Sequence, residues 1–210
     1  MEVSSVHNLA DKISIYLYER GVIKKEDREI YTFGAEVALD FLIIFLLICF
    51  FGIVTGQVAS TLIFLVVYCS LRGCGGGYHA STYARCCLCS VATYLSVVCL
   101  GILINPNIES LLFLPIILVG SLILFVVAPT DNLINPKSEK EKQKNRKKLL
   151  KRMTFINIFT LICYFTNFSI NIFTVDIKFI ISCSLMSVAI LSLINSIQNY
   201  HIGRRSIKWE

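Results

Sequence analysis

Charged residues are scarce in this chain: Asp, Glu, Lys and Arg together make up 16% of its 210 residues, whereas hydrophobic residues make up 55%. The mean hydropathy of +0.69 excludes an ordinary soluble domain of this length. Apolar runs of about 20 residues are what a helix needs to cross a bilayer. The sequence therefore predicts an integral membrane protein, with residues 1–210 forming one membrane domain and no separate soluble domain.

The chain also lacks three features that would indicate other classes of protein. Residues 1–33 are mixed polar and charged, so no cleavable signal peptide is predicted, and we expect insertion through the mature apolar segments. The nine cysteines lie in apolar runs or in one loop, which argues against a disulfide scaffold and for free thiols. No repeated halves are evident, which argues against a transporter.

Six apolar stretches predict an all-α, polytopic membrane helix bundle over residues 34–200, followed by a tail at 201–210. The stretches are 35–54, 57–71, 86–104, 108–128, 153–174 and 177–198. As a helix, the second stretch covers only about 22 Å, against a hydrocarbon core of roughly 30 Å. Six full spans and four spans plus a re-entrant pair therefore both fit the sequence.

The first 33 residues are predicted to form a cytoplasmic or interfacial segment. Apolar residues recur at spacings of three and four over residues 3–20, as at Leu9, Ile13 and Tyr16, which predicts an amphipathic helix that ends at Gly21. A short charged helix is predicted at about 24–32. The first helix either lies in the membrane interface or packs as a soluble cap on the bundle, and the sequence leaves both open.

Basic residues predict the orientation in the membrane. If every stretch crosses and the N-terminus is cytoplasmic, 19 of the 20 Lys and Arg residues fall on the cytoplasmic side, and Lys178 falls outside. Both termini and the loop between the second and third stretches are then cytoplasmic. The net charge of +6 thus reports orientation, and no nucleic-acid partner is predicted.

The segment Ser138–Arg152, SEKEKQKNRKKLLKR, is the most strongly basic part of the chain. It is either a solvated loop of the positive-inside kind or a docking site for an acidic partner or for anionic lipid. Within it, Lys147, Lys148, Lys151 and Arg152 are the candidates for docking.

The loop GCGGGYHASTYARCCLC, residues 73–89, concentrates residues that can carry chemistry. It contains Cys74, His79, Cys86, Cys87 and Cys89. Their spacing lacks the paired arrangement of structural zinc sites, and the adjacent Cys86 and Cys87 are awkward as joint ligands, so no metal or other cofactor is predicted.

Cys86 is the candidate nucleophile of this loop. A thiol attacks as its thiolate, and a histidine such as His79 can take the proton. Cys86 opens the third apolar stretch, where the positive end of the helix dipole favours the thiolate, and Arg85 acts in the same direction. Cys87 and Cys89 lie deeper in the stretch. All three cysteines would otherwise be small apolar core residues.

The distance between His79 and Cys86 constrains this hypothesis. Seven residues of continuous helix rise about 10.5 Å, whereas a catalytic hydrogen bond needs roughly 3 Å. Either the chain bends between the two residues, as Gly75–Gly77 would permit, or His79 serves the cysteine of a second protomer.

GGYHA followed by Cys86, seven residues after the histidine, resembles the accessory gene regulator B (AgrB) family of bacterial membrane cysteine peptidases. The length, the multiple spans, the sequence Ala128-Pro129-Thr130-Asp131 and the lysine-rich stretch after it are similar to that family as well. The resemblance extends over most of the chain, although only the loop motif is specific.

The resemblance implies a function in quorum sensing. Cys86 as nucleophile and His79 as base would cleave an AgrD-like precursor peptide through a thioester acyl-enzyme. A cysteine or serine inside the peptide would then attack that thioester and release the autoinducing peptide as a thiolactone or lactone ring. The family also implies a homodimer and a precursor with an acidic tail, which would match the basic segment.

Other polar residues are candidates for supporting roles. Glu36 and Asp40 lie four apart on one helix face, near the same membrane side as His79, and one carboxylate could orient the imidazole, Glu36 ahead of Asp40. Gly76 and Gly77 could offer backbone N–H groups to an oxyanion, or could simply make the loop flexible.

A non-enzymatic transporter or thiol-sensing receptor for a small peptide is the alternative function. Few charged residues lie inside the predicted spans, which argues against a transporter. The sequence shows no attached output domain, which argues against a receptor.

Overall fold

The computed structural model describes residues 5–75, 83–130, 138–166 and 175–207, without the side chains of residues 5, 83–84, 106–107 and 201–207. Throughout these ranges the chain is helical and forms no strand, which confirms the predicted all-α bundle. The helices are α1 (Ser5–Glu19), a 3-10 turn (Lys25–Asp27), α2 (Arg28–Val54), α3 (Val58–Gly75), α4 (Tyr83–Leu103), α5 (Pro106–Val127), α6 (Glu139–Phe165) and α7 (Ile177–Ile207).

Successive helices from α2 to α7 run in alternate directions, so their ends collect at two ends of the bundle. At one, here called the basic end, the last residue of α3, Gly75, packs near Leu149 of α6 and Ala128 beyond α5. At the opposite end, Gly101 of α4 packs against Val175, which precedes α7. Arg72, Arg85 and the lysines of α6 lie at the basic end, whereas Lys178 lies at the opposite end.

Helix α7 is the central helix of the bundle and is buried despite its many serines. Ser182 and Ser184 are fully buried, and their hydroxyls donate to backbone carbonyls four residues earlier, at 2.7 and 2.6 Å. This bonding satisfies the hydroxyls within their own helix, as an apolar interior requires. Helix α5 packs closely on α7 at Gly120, where an added Cβ would lie 2.7 Å from Leu185 Cδ2 and 3.2 Å from Met186 Cα.

Five helical segments are long and apolar enough to cross a membrane, among the residues that the structure describes. They are Lys25–Val54, Val58–Gly75, Arg85–Leu103, Ile108–Val127 and Ile177–Tyr200. The helix that corresponds to the second predicted stretch begins one residue later and ends four residues later, at Gly75, and its 18 residues span about 27 Å. The apolar half of α6 is the remaining predicted stretch and is described as helix as far as Phe165.

The structure changes the predicted N-terminal segment in one respect. The amphipathic helix is present as α1, and Gly21 follows it with a positive φ of 68°, as a helix-ending glycine does. The separate charged helix at 24–32 is wrong, because only Lys25–Asp27 forms a short turn and α2 already begins at Arg28. The first apolar helix therefore extends seven residues before Ala35.

Candidate active site

Cys86 lies at the basic end, where the start of α4 meets the end of α3. It is the fourth residue of α4 and therefore lies in the first helical turn, whose backbone N–H groups lack intrahelical acceptors. Its side chain is buried, with 9% of the residue exposed. Arg72 of α3 donates from Nη2 to the Cys86 sulfur at 3.5 Å. A thiol, a helix start and a guanidinium thus come together.

Neighbouring hydroxyls fix the Arg72 guanidinium in this position. Its Nη1 donates to the hydroxyl of Tyr68, one turn earlier on α3, and to Ser90 Oγ on α4 at 3.3 Å. Ser90 is buried, and its hydroxyl donates in turn to the backbone carbonyl of Cys86 at 3.0 Å. Ser90 therefore links the arginine to the turn that carries the thiol.

Tyr68 belongs to a column of three buried aromatic rings in contact with one another, Tyr68, Phe64 and Tyr94. The Arg72 guanidinium carbon lies 5.4 Å from the centre of the Tyr68 ring, which stacks on Phe64 at 5.0 Å. Phe64 meets the edge of Tyr94 of α4 at 5.3 Å, and the Tyr94 hydroxyl bonds Thr61 Oγ1 at 2.7 Å. These buried rings bridge α3 and α4, whose backbones pack mainly on other helices, α3 on α7 and α4 on α2.

The arginine at the thiol was not the one expected from the sequence. Arg85 was predicted to assist Cys86, but its side chain is exposed, whereas Arg72, 14 residues earlier, donates to the sulfur. Two signals in the sequence could have identified it: Arg72 ends an otherwise apolar stretch, and Tyr68 lies four residues before it, at the spacing of helical neighbours.

The two candidate carboxylates have different surroundings. Glu36 is buried, and one of its oxygens pairs with His7 Nδ1 on α1. Asp40, one turn further along α2, interacts electrostatically with both the Arg72 guanidinium and the Cys86 thiol. Which carboxylate orients the His79 imidazole stays a prediction, because His79 lies outside the described residues.

His79, Gly76 and Gly77 lie outside the described residues, so their roles stay predictions. The two ends of their loop are described: α3 ends at Gly75, and α4 begins at Tyr83. Thr130 holds the first end, since its backbone N–H donates to the Gly75 carbonyl at 3.0 Å. The loop thus starts from an anchored residue at the same end of the bundle as Cys86.

The basic segment forms the exposed first half of α6. Ser138 and Glu141 begin the helix with a capping box, in which each side chain bonds the other's backbone N–H. Lys147, Lys148 and Lys151 are exposed, as docking residues should be. Arg152 has a structural contact, because its Nη1 donates to the Ser70 carbonyl near the end of α3 at 2.7 Å.

The cysteines are all free thiols, as predicted. Within the described ranges, no group of three or more His, Cys, Asp or Glu side chains is arranged to hold a metal ion. The chemistry that this arrangement offers is that of a buried thiol next to a fixed cation. A guanidinium at hydrogen-bonding distance favours the anionic, nucleophilic form of a thiol.

Comparison with known proteins gives a consistent result. The family model for accessory gene regulator B matches residues 10–199. "Putative AgrB-like protein 2" of Clostridium perfringens (strain 13 / Type A) is 30% identical over 172 residues, covering 76% of this chain and 77% of that protein. "Putative AgrB-like protein" of C. perfringens (strain SM101 / Type A) is 28% identical over 172 residues, covering 76% and 79%. No solved structure matches.

Proposed function

Because this chain belongs to the accessory gene regulator B family, we propose that it is a membrane cysteine endopeptidase and peptide cyclase of the accessory gene regulator quorum-sensing system. Its substrate is an AgrD-like precursor peptide, cleaved on the C-terminal side of the signal sequence. The observation that carries the proposal is the contact between the Arg72 guanidinium and the buried Cys86 sulfur at a helix start. A cation fixed at the sulfur favours the thiolate, the form in which a cysteine acts as a nucleophile, whereas a thiol that only fills space in the core does not require one.

Cleavage begins with attack of the Cys86 thiolate on the scissile carbonyl carbon. His79 takes the thiol proton and later gives it to the leaving amine, so that the C–N bond breaks and a thioester to Cys86 remains. Arg72 holds negative charge on the sulfur before the attack. A carboxylate of α2, Glu36 or Asp40, orients the His79 imidazole.

Ring closure follows from the same thioester. A cysteine thiol or serine hydroxyl inside the peptide gives its proton to His79 and attacks the acyl carbon, the peptide leaves as a thiolactone or lactone, and Cys86 is released as thiolate. Exchange of one thioester for another is nearly isoenergetic, so a thiolactone forms without ATP. Holding the internal nucleophile near the acyl carbon favours closure over hydrolysis, and the buried position of Cys86 limits access of water.

The exposed lysines of α6 supply a site for the acidic tail of the precursor. Lys147, Lys148 and Lys151 are exposed at the basic end, on the helix whose Leu149 packs at Gly75. The proposal places the basic end, both termini and the catalytic loop in the cytoplasm, with the protein in the cell membrane as a homodimer. His79 then acts within its own chain or on the partner's cysteine.

Co-expression of an AgrD-like precursor with single variants tests this function. Cys86→Ala and His79→Ala should each abolish cleavage, whereas Cys87→Ala, which removes the neighbouring thiol, should retain it. Mass spectrometry of the peptide products is the measurement. Processing by the Cys86→Ala variant at the level of the unchanged protein would remove the proposal in favour of a transporter or receptor.

A further inference from the structure

Helix α1 packs on α2 through polar side chains. Three pairs join the two helices: His7 with Glu36, Asp11 with Arg28 at 2.6 Å, and Ser14 with Thr32 at 2.8 Å. Ser14 and Ala10 are fully buried in this contact. The side of α1 that faces the protein is therefore largely polar.

The apolar side of α1 faces outward. Leu9, Ile13 and Tyr16 follow one another at spacings of four and three, and they are 49%, 38% and 55% exposed. A helical hairpin in water has the reverse arrangement, with its apolar residues between the helices. Polar contacts between the helices and apolar residues on the outside are typical of a helix in contact with lipid. Lipid tails solvate the apolar side chains, and the polar groups form hydrogen bonds across the helices.

An open apolar groove runs between α1 and α2. It has a volume of about 400 Å³ and is lined by Ile13, Leu17, Ile30, Tyr31, Gly34 and Ala35. An added Cβ at Gly34 would meet no atom of the described residues within 4 Å, so the groove is open at this point. Its apolar lining suits hydrocarbon chains.

The same apolar surface continues onto the membrane-spanning part of α2. Phe33, Val37 and Phe41 are 57%, 49% and 55% exposed and follow the groove along the helix. Tyr31 lines the groove and Tyr16 lies on the exposed apolar side of α1, and tyrosine is enriched at the boundary between membrane and water. The third side of α1 is polar and exposed, with Asn8, Lys12 and Glu19.

We propose that α1 lies in the membrane interface at the basic end, with Leu9, Ile13 and Tyr16 among phospholipid acyl chains and the groove occupied by those chains. The exposed charges of this region then face the headgroups; they are Lys12, Arg20, Lys24, Lys25, Glu19, Glu26 and Glu29. Of the two arrangements left open by the sequence, this is the interfacial one.

The placement has a consequence for the candidate active site. His7 of α1 holds Glu36, and Asp40 lies one turn beyond Glu36 on α2. A lipid-bound α1 therefore fixes how deep Asp40 and Cys86 lie in the leaflet, which a substrate held at the membrane surface would require.

Quenching of a single tryptophan by brominated lipid tests the proposal in the full-length protein and needs no peptidase activity. Trp209 is the chain's one tryptophan, so Trp209→Phe gives the background. Leu9→Trp places a probe on the apolar side, and the matched control Asn8→Trp places one on the polar side. Both are reconstituted in nanodiscs of phosphatidylglycerol and a phosphatidylcholine brominated at carbons 6 and 7 of one acyl chain.

The expected result is opposite behaviour of the two probes. Brominated lipid should reduce emission from Leu9→Trp by roughly half or more, as for a side chain at the headgroup and acyl boundary, and aqueous iodide should quench Asn8→Trp instead. Equal quenching of both by iodide would overturn the proposal in favour of a helix in water. Protection of Leu9→Trp from both quenchers would overturn it in favour of a second protein copy on this face. Tyr16→Trp replaces Leu9→Trp if circular dichroism shows that the latter is unfolded.

Discussion

Each end of the bundle holds a cation, Lys178 buried and Arg72 half-buried, and the two cations have different partners. At the opposite end, Lys178 pairs with Asp176 at 3.1 Å, and Asp176 also accepts the Lys178 backbone N–H at 2.8 Å, at the start of α7. At the basic end, Arg72 is held by the hydroxyls of Tyr68 and Ser90 and points at a thiol. The cation paired with a carboxylate two residues away stabilises a helix start, whereas in the proposed function the cation held at a thiol prepares that thiol to react.

The largest effect should come from breaking the ion pair at the opposite end. Lys178→Met leaves the Asp176 carboxylate buried without its partner, which costs about 3–5 kcal/mol of folding stability. Thermal unfolding in detergent measures the loss, and Lys178→Met/Asp176→Asn, which removes both charges, should recover much of it. Cleavage per folded molecule should stay unchanged. A stable Lys178→Met protein that no longer cleaves would mean that this end also takes part in the reaction.

The next effect should come from the cation at the basic end. Arg72→Met removes a charge-assisted hydrogen bond to sulfur, worth about 1.5–3 kcal/mol, so cleavage per folded molecule should fall roughly 10- to 150-fold. The alkylation rate of Cys86 by iodoacetamide at neutral pH should fall as well, which a merely structural arginine would not cause. Wild-type alkylation kinetics in this variant would contradict the assigned role.

Local sequence patterns predicted the helices well, because the length and hydrophobic periodicity of a helix are visible in its own residues. The predicted stretch 108–128 is α5, Pro106–Val127, and the amphipathic pattern at 3–20 is α1, Ser5–Glu19. The contacts of the candidate site depend on packing between distant segments. Arg72 and Cys86 meet across two helices that the ring contact between Phe64 and Tyr94 also joins. Similarly, His7 and Glu36 are 29 residues apart, and nothing local to α2 shows that α1 will cover Glu36.

A smaller effect should distinguish the hydroxyls of Tyr68 and Tyr94, the two tyrosines of the aromatic column. Tyr68→Phe keeps the ring that stacks on Phe64 but removes the hydroxyl that accepts from Arg72, at a cost of about 0.5–1.5 kcal/mol, or roughly 2- to 10-fold in kcat with little change in KM. Tyr94→Phe removes a hydroxyl bonded to Thr61, farther from the thiol, and should leave kcat per folded molecule unchanged. Equal losses in the two variants would show that the column acts through stability alone.

The smallest effect should come from the exposed basic face of α6. Lys147→Gln/Lys151→Gln should raise the apparent KM for an acidic-tailed precursor a few-fold at low salt, and high salt should abolish the difference, since exposed charges are screened. Lys140→Gln/Lys144→Gln makes the same change in charge farther from Gly75 and serves as the control. Equal KM values in the two double variants would remove the assigned docking site.

The fourth candidate docking residue has a different expected effect. Arg152→Gln should reduce folding stability, because it removes the hydrogen bond from Arg152 to the Ser70 carbonyl.

Trapping of the acyl-enzyme tests the central claim, that Cys86 is the nucleophile, most directly. A precursor whose internal cysteine or serine is replaced by alanine cannot close its ring, so the thioester should accumulate. Intact-protein mass spectrometry should then show the enzyme plus the N-terminal fragment less one water, with the adduct on Cys86 and released by hydroxylamine. Continued cleavage with an adduct on another cysteine, or with none on Cys86, would contradict the account.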